Sequence, residues 1–416
     1  MIDVFLILVF FIGYLLITVE HKTAVNKAAV ALVMAAFCWV LITLKMQNQQ
    51  IAIEELNSHL AAIAQIIVFI LGAMTIVELI AAYDGFRIIT DFIRVKNKRQ
   101  LLFVVSFLTF FLSAVLDNMT TSIVMVTLLR KIIKDQKERM IFAGMIIVAA
   151  NAGGAWSPIG DITTTMLWIG GQVTSLKLVT LLLLPAVVSL LVPLFYFSKG
   201  FASSPLVIVH EGPAAKVNGA KRVFALGLGA LIFVPVLKGL TNLPPYMGII
   251  LGLGVMWVLT DLIHQERHYL RIPHILTKID IASLLFFLGI LLTVAALETA
   301  GILSHFAGWL DTHFANKDLI VSIFGALSAI VDNVPLTAAT MGMYPLDTFP
   351  VDSKIWEMIA YCVGTGGSLL IIGSAAGVIV MGMEKITFSW YMRKLTLPVL
   401  AGYIAGIIVL LIGYSI

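Results

Sequence analysis

The chain has 416 residues, of which 60% are hydrophobic and only 12% charged, with a net charge of +4. Soluble domains carry roughly 25% charged residues, so a soluble enzyme with one anchor is excluded and a polytopic helical membrane protein is indicated. The only two cysteines, Cys38 and Cys362, lie in apolar stretches, which argues against a disulfide framework or a cysteine metal site.

Spanning segments are predicted at 4–19, 28–44, 62–82, 140–172, 178–197, 223–240, 245–263, 281–303, 356–383 and 395–414. No basic stretch precedes the first segment and no small-x-small site follows it, which predicts a retained helix and not a signal peptide. Two further apolar stretches, 101–129 and 319–343, each carry an Asp-Asn pair: Leu116-Asp117-Asn118-Met119-Thr120-Thr121 and Val331-Asp332-Asn333-Val334-Pro335. A carboxylate inside such a stretch is expensive and marks a functional site by default.

The loops 83–100 and 130–139 are the most basic, with five Lys or Arg each. The positive-inside rule puts both in the cytoplasm, so 101–129 must enter and leave on one side, as a re-entrant hairpin turning near Asp117-Asn118. Non-helical backbone at that depth must face protein or a wet cavity. The remaining cytoplasmic loops are then 20–27, 198–222, 264–280 and 384–394, and the six together hold 22 of the 27 Lys and Arg. Both termini fall on the periplasmic side.

Landmarks recur at offsets of 213 to 217: Leu71-Gly72 with Leu288-Gly289, Asp117-Asn118 with Asp332-Asn333, Gly153-Gly154 with Gly366-Gly367. The expected fold is therefore all-α, with two inverted repeats, 1–200 and 223–416, joined by a cytoplasmic linker at 201–222. Each has five crossings, one of them discontinuous, and one hairpin. Such repeats place substrate sites near the bilayer midplane.

Two hairpin tips arriving from opposite sides can offer carboxylate and amide oxygens to a small hard cation, from Asp117, Asn118, Asp332 and Asn333. The plainer reading is that each Asp caps the half-helix that follows. A second constellation, Asn151-Ala-Gly-Gly-Ala-Trp-Ser-Pro-Ile-Gly-Asp161-Ile-Thr163-Thr164, breaks a 33-residue apolar segment. Ser157 is the expected N-cap there, with Pro158 at the first helical position, and Asn151, Asp161, Thr163 and Thr164 add oxygens at the break. A packing kink accounts for the glycines but not for Asp161. In the partner break, Gly364-Thr365-Gly366-Gly367-Ser368, Ser368 is the expected cap. Ser374 takes the place of Asp161 and Gly364 that of Asn151, so the site is weighted towards the first half.

Glu78 and Glu298 occupy the third crossing of each half and are placed either as a relay or as snorkelling carboxylates. His210, His264, His268 and His274 read as loop histidines. Phosphate-cradling loops and paired His/Glu metal motifs are absent from the sequence. An enzyme, a nucleotide-driven pump and a nucleic-acid binder are therefore disfavoured, and no cofactor is needed.

With these four motifs, the first being Leu71-Gly-Ala-Met-Thr-Ile-Val-Glu78, the chain resembles the NhaD family of sodium/proton antiporters, within the ion transporter superfamily. The resemblance covers nearly the whole chain. It implies exchange of Na⁺ (or Li⁺) for H⁺ across a bacterial inner membrane, with matching polar residues at Asp117, Asn118, Thr120, Asn151, Asp161, Thr163, Thr164, Ser328 and Asn333. Na⁺ would sit at Asp117, Asn118, Asn151 and Asp161. It further implies a homodimer in the lipid bilayer, whose hairpin-bearing domain moves as an elevator. A Na⁺-coupled dicarboxylate symporter of the same fold is the alternative. It needs extra N–H or cationic ligands at the tips, where the sequence has no Lys or Arg.

Cysteines introduced at Ser203 and in the 49–50 loop are expected to react with impermeant thiol reagents from opposite sides of the membrane. Labelling from one side would overturn the hairpin assignment at 101–129.

Overall fold

The structure is a computed structural model that describes residues 2–18, 25–46, 48–90, 95, 97–201, 219–263, 270–314 and 316–415. Ser203, most of the 201–222 linker, parts of the loops 20–27, 83–100 and 264–280, and His210, His264 and His268 lie outside the described residues. Among the described residues the regular elements are helices, and eight of them are long and apolar enough to cross a membrane.

The first half runs α1 (Ile2–Thr18), α2 (Lys27–Lys45), α3 (Gln49–Ala82), the short α4 (Arg87–Thr90), α5 (Lys98–Leu116) and α6 (Asn118–Ile132). It continues with α7 (Gln136–Gly154), α8 (Ile162–Ile169) and α9 (Ser175–Ser198). The second half runs α10 (Ala220–Thr241), α11 (Pro245–Ile263), the short α12 (Ile272–Leu276), α13 (Ile281–Thr299), α14 (Ile302–His313) and α15 (Lys317–Leu327). After it come α16 (Asn333–Met343), α17 (Lys354–Gly366), α18 (Ala375–Glu384), α19 (Phe388–Lys394) and α20 (Thr396–Gly413).

Local chemistry sets many of the starts. Asn26, Asn48, Asn97, Asp135, Thr174 and Asp280 each accept a hydrogen bond from a backbone N–H in the first turn of the helix they precede, satisfying donors the helix cannot. Two crossings depart from their predicted limits. α3 begins well before residue 62, because Asn48 caps Gln50 and the helix carries on for 34 residues. That is about 51 Å at ~1.5 Å per residue, far more than the ~30 Å hydrocarbon core. The crossing at 281–303 stops at Thr299, because Gly301 takes φ 77° and restarts the chain as α14.

Pairings at the helix ends show that both Asp-Asn stretches turn back on themselves. Lys98, at the start of α5, pairs with Glu138 at 2.7 Å. Arg139, one residue further along α7, donates to the carbonyl of Ile133 just past α6 at 2.9 Å. Both ends of 98–132 therefore meet at the base of α7. Likewise Lys354, at the start of α17, pairs with Asp318 at the start of α15 at 2.6 Å, while Lys317 lies over the ring of Tyr344 just past α16.

The base of the second hairpin thus lies at the beginning of α17. The base of the first lies at the end of α18, where Glu384, its side chain fully buried, receives Arg130 at 2.7 Å and Arg139 at 2.6 Å. The α17–α18 rod connects the two bases, and the hairpins approach its middle from opposite ends. Packing falls into two sets. α5 lies on α7, α15 on α17 and α9 on α20, whereas α2 lies on α13, α3 on α11 and α1 on α2. The two sets touch chiefly where α13 and α14 meet α16 and where α3 meets α8.

Two glycines let the hairpins approach the broken helices. A Cβ at Gly153 would overlap the carbonyl of Phe110, and one at Gly366 the carbonyl of Gly325. Gly153→Ala and Gly366→Ala are each expected to cost about 1–3 kcal/mol by overpacking. The cost would be read as a lower unfolding temperature of the purified protein in detergent, and wild-type stability in both would contradict this packing.

Candidate cation site

The site begins with the ends of short helices. Asp117, Asp161 and Asp332 each precede a half-helix and accept from its backbone: Asp117 from Thr120 N at 2.8 Å, Asp161 from Thr163 N at 3.2 Å, Asp332 from Val334 N at 3.0 Å. The capping reading is thus correct for all three, and it does not exhaust them. Asp161, only 2% exposed, accepts at Oδ2 from the amide of Asn118 at 3.1 Å and at both oxygens from the amide of Asn333 at 3.5 and 3.4 Å. The two hairpin tips therefore converge on one carboxylate.

Asn151, fully buried at the end of α7, extends the network. Its Oδ1 accepts from Asn118 at 3.1 Å, and its Nδ2 donates to Ser368 Oγ at 2.9 Å and to Ser374 Oγ at 3.0 Å. It bridges the two breaks. Asp117, Asn118, Asp161, Asp332 and Asn333 line a single cavity of about 70 Å³. Asp117 alone sits on strained backbone, at φ 75°, ψ 157°, a region essentially reserved for glycine that costs on the order of 1–3 kcal/mol. Its Oδ2 also accepts from Thr120 Oγ1 at 2.8 Å.

The remaining sequence expectations divide. Thr163 is buried, and its Oγ1 has no partner. Thr164 turns to the carbonyls of Asp161 and Gly154, and Ser328 to the carbonyl of Val363 at 2.9 Å, so neither hydroxyl reaches the cavity. Glu78 is not part of the cavity lining. Glu298 lines a separate cavity with His59, towards the C-terminal end of α8.

Two expected caps are corrected. Ser157 does not cap the resumed helix: its hydroxyl donates to the carbonyl of Ala114, and α8 starts five residues later, at Ile162, capped by Asp161. Ser368 does not cap α18 either, because Ser374 does, accepting from Gly377 N. In both breaks the chain runs through seven or eight residues of turns and bends before the helix resumes, so the residue nearest the glycines is too early.

Sequence reasoning missed three residues. Ser374, which takes the place of Asp161 in the second half, accepts from Asn151 and caps α18. Lys27, at the start of α2, lines the cavity, with its ammonium 4.6 Å from the centroid of the Phe286 ring. The absence of Lys and Arg at the tips therefore does not extend to the cavity as a whole. His59 belongs to α3 and not to a loop, and its Nε2 is 3.3 Å from Thr299 Oγ1. Nothing in the local sequence marks Lys27 or His59.

Carboxylates and amides gathered where discontinuous helices end, within a bundle of long apolar helices, define a membrane transporter. The comparisons agree. The chain belongs to the family described as citrate transporter (CitMHS), whose model matches residues 7–356. It is 52% identical to sodium/proton antiporter 1 of Arabidopsis thaliana, over 97% of this chain and 71% of that one. It is 50% identical to sodium/proton antiporter 2 of the same plant, over 96% and 97%. To the Na(+)/H(+) antiporter NhaD of Vibrio cholerae it is 29% identical, over 97% and 90%. The resemblance to the NhaD antiporters, read from four motifs, therefore holds along nearly the whole chain.

Asp161→Asn is expected to reduce Na⁺-dependent proton movement in proteoliposomes to the level of empty vesicles. Asp117→Gly separates the two roles of that residue: it should relieve the backbone and raise the unfolding temperature, yet abolish exchange. Asp332→Asn should be milder, weakening cation affinity severalfold. Wild-type exchange in Asp161→Asn or Asp117→Gly would remove that carboxylate from the site.

Proposed function

We propose that this protein exchanges Na⁺, and also Li⁺, for H⁺ across a membrane, with the two ions competing for the carboxylates of Asp161 and Asp117. The observation that carries this is the convergence of both hairpin asparagines on buried Asp161, in a cavity that holds two further aspartates. Sodium prefers oxygen ligands, and a carboxylate holds Na⁺ or H⁺ but rarely both. Binding Na⁺ displaces the proton, and exchange follows if only the loaded forms cross. The proton gradient then supplies the free energy.

In this reading Asn151 and Thr163 supply neutral oxygens, as do Asn118 and Asn333 once their amides turn their N–H groups away from Asp161; Thr120 orients Asp117, and Ser368 orients Asn151. The chain divides into inverted repeats at 1–200 and 223–416, supported by the matched packing of α5 on α7 with α15 on α17. The hairpins, the broken helices, α9 and α20 form the moving unit of an elevator, and the other long helices its frame in a homodimer. The distribution of Lys and Arg supports periplasmic termini, and the bacterial sources of the NhaD relatives support an inner membrane.

A second reading, a Na⁺-coupled anion symporter, is favoured by Lys27 in the cavity wall and by the family's description. Proteoliposomes loaded with a pH-sensitive dye, challenged with Na⁺, Li⁺, K⁺, citrate and dicarboxylates, discriminate. Exchange predicts proton release driven by Na⁺ and Li⁺ alone, whereas dependence on the anion would establish symport.

Competition also fixes a sign. As pH falls below the apparent pKa of the shared carboxylate, its protonation must weaken Na⁺ binding, by about tenfold in Kd per pH unit for each proton displaced. Calorimetric titration with Na⁺ in detergent at several pH values measures that slope. A flat profile through the transport range would require separate sites for the two ions.

A further inference from the structure

We propose that the cleft between α1 and the second hairpin is a phospholipid site, filled by one acyl chain of a bilayer lipid that reaches the tip of that hairpin. The cleft has a volume of about 660 Å³ and is walled by α1, α13, α14, α15 and α16. Its lining is almost entirely apolar, with Phe10, Leu303, Phe306 and Ala339 on facing walls.

Length argues for an acyl chain. The lining on α1 runs from Asp3 to Tyr14, about 16 Å at ~1.5 Å per residue. That is half of a ~30 Å hydrocarbon core, the reach of one lipid tail from headgroup level to midplane. The deep end agrees: Val331 and Pro335, which flank Asp332, line it, and Tyr14 OH accepts from Asp332 N at 3.1 Å.

The rim carries charge of both signs. Asp3 is paired with Lys45 at 2.6 Å, both partly exposed, and His305 stands exposed beside them. A zwitterionic headgroup fits that rim, its phosphate towards Lys45 and His305 and its ammonium towards Asp3. Other occupants fit less well. Water does not settle in apolar cavities. A helix from a second copy, at a diameter of ~10 Å, needs roughly twice the volume over the same length.

The test uses the full chain in liposomes of phosphatidylethanolamine, doped with the same lipid bearing a diazirine at the end of one acyl chain. After illumination, cross-linked peptides are located by mass spectrometry. Labelling of α1, α14 and α16 is expected to exceed that of the outward faces of α9 and α20 severalfold. Ala339→Trp, and from the opposite wall Leu303→Trp, should each remove that excess while leaving α9 labelled as before. Two variants are used so that misfolding of one does not decide the result. No excess in the wild type, or an excess that survives in a folded variant, overturns the proposal. So does disulfide formation between two copies through a cysteine at Phe306 in place of lipid labelling, which would assign the cleft to a second protomer.

Discussion

The structure depends on keeping one carboxylate, Asp161, at the centre of an apolar bundle. Insertion scales put the cost of a charged residue at the middle of a spanning helix at about 3 kcal/mol, and more if its oxygens lack donors. Here the donors come from three directions: the amides of Asn118 and Asn333 and the backbone N–H of Thr163. Continuous helices could not supply them. A tip amide reaches the centre only if its chain enters and turns back, and a free backbone N–H exists only at a helix start. Both hairpins and both breaks follow from that need.

What surrounds the carboxylate is correspondingly buried and paired. α7 is buried without interruption from Phe142 to Gly154. The paired bases, with Glu384 held by two arginines and Lys98 on Glu138, fix where each hairpin starts. Glycine at 153 and 366 removes the side chains that would keep the hairpins off the broken helices. Against this frame the strained backbone of Asp117 is tolerated, because the turn must close within one residue between α5 and α6.

The charge balance of the cavity makes exchange intelligible. Three aspartates face a single lysine across it, and that lysine belongs to α2, outside the hairpins. A cation or a proton in the cavity would offset part of the excess negative charge, and a cation on Asp161 would also turn over the amides of Asn118 and Asn333, which here present N–H groups to that carboxylate. Because Lys27 rides on the other packing set, relative movement of the two sets would change the field at the aspartates.

The sequence by itself determined a great deal. Composition settled the membrane class, the basic loops required a turn at Asp117, and the repeated Asp-Asn and Gly-Gly phrases located both hairpins and both breaks. These are one-dimensional signals, set by transfer free energy and by which residues can break a helix. It did not determine where the helices resume. Ser157 and Ser368 have the chemistry of caps, but the run of turns after each break hands that role to Asp161 and Ser374. Nor did it show that Ser328 would be held by a carbonyl, or that Lys27 and His59 would line cavities. Those outcomes depend on which helices become neighbours across hundreds of residues, and only tertiary packing decides that.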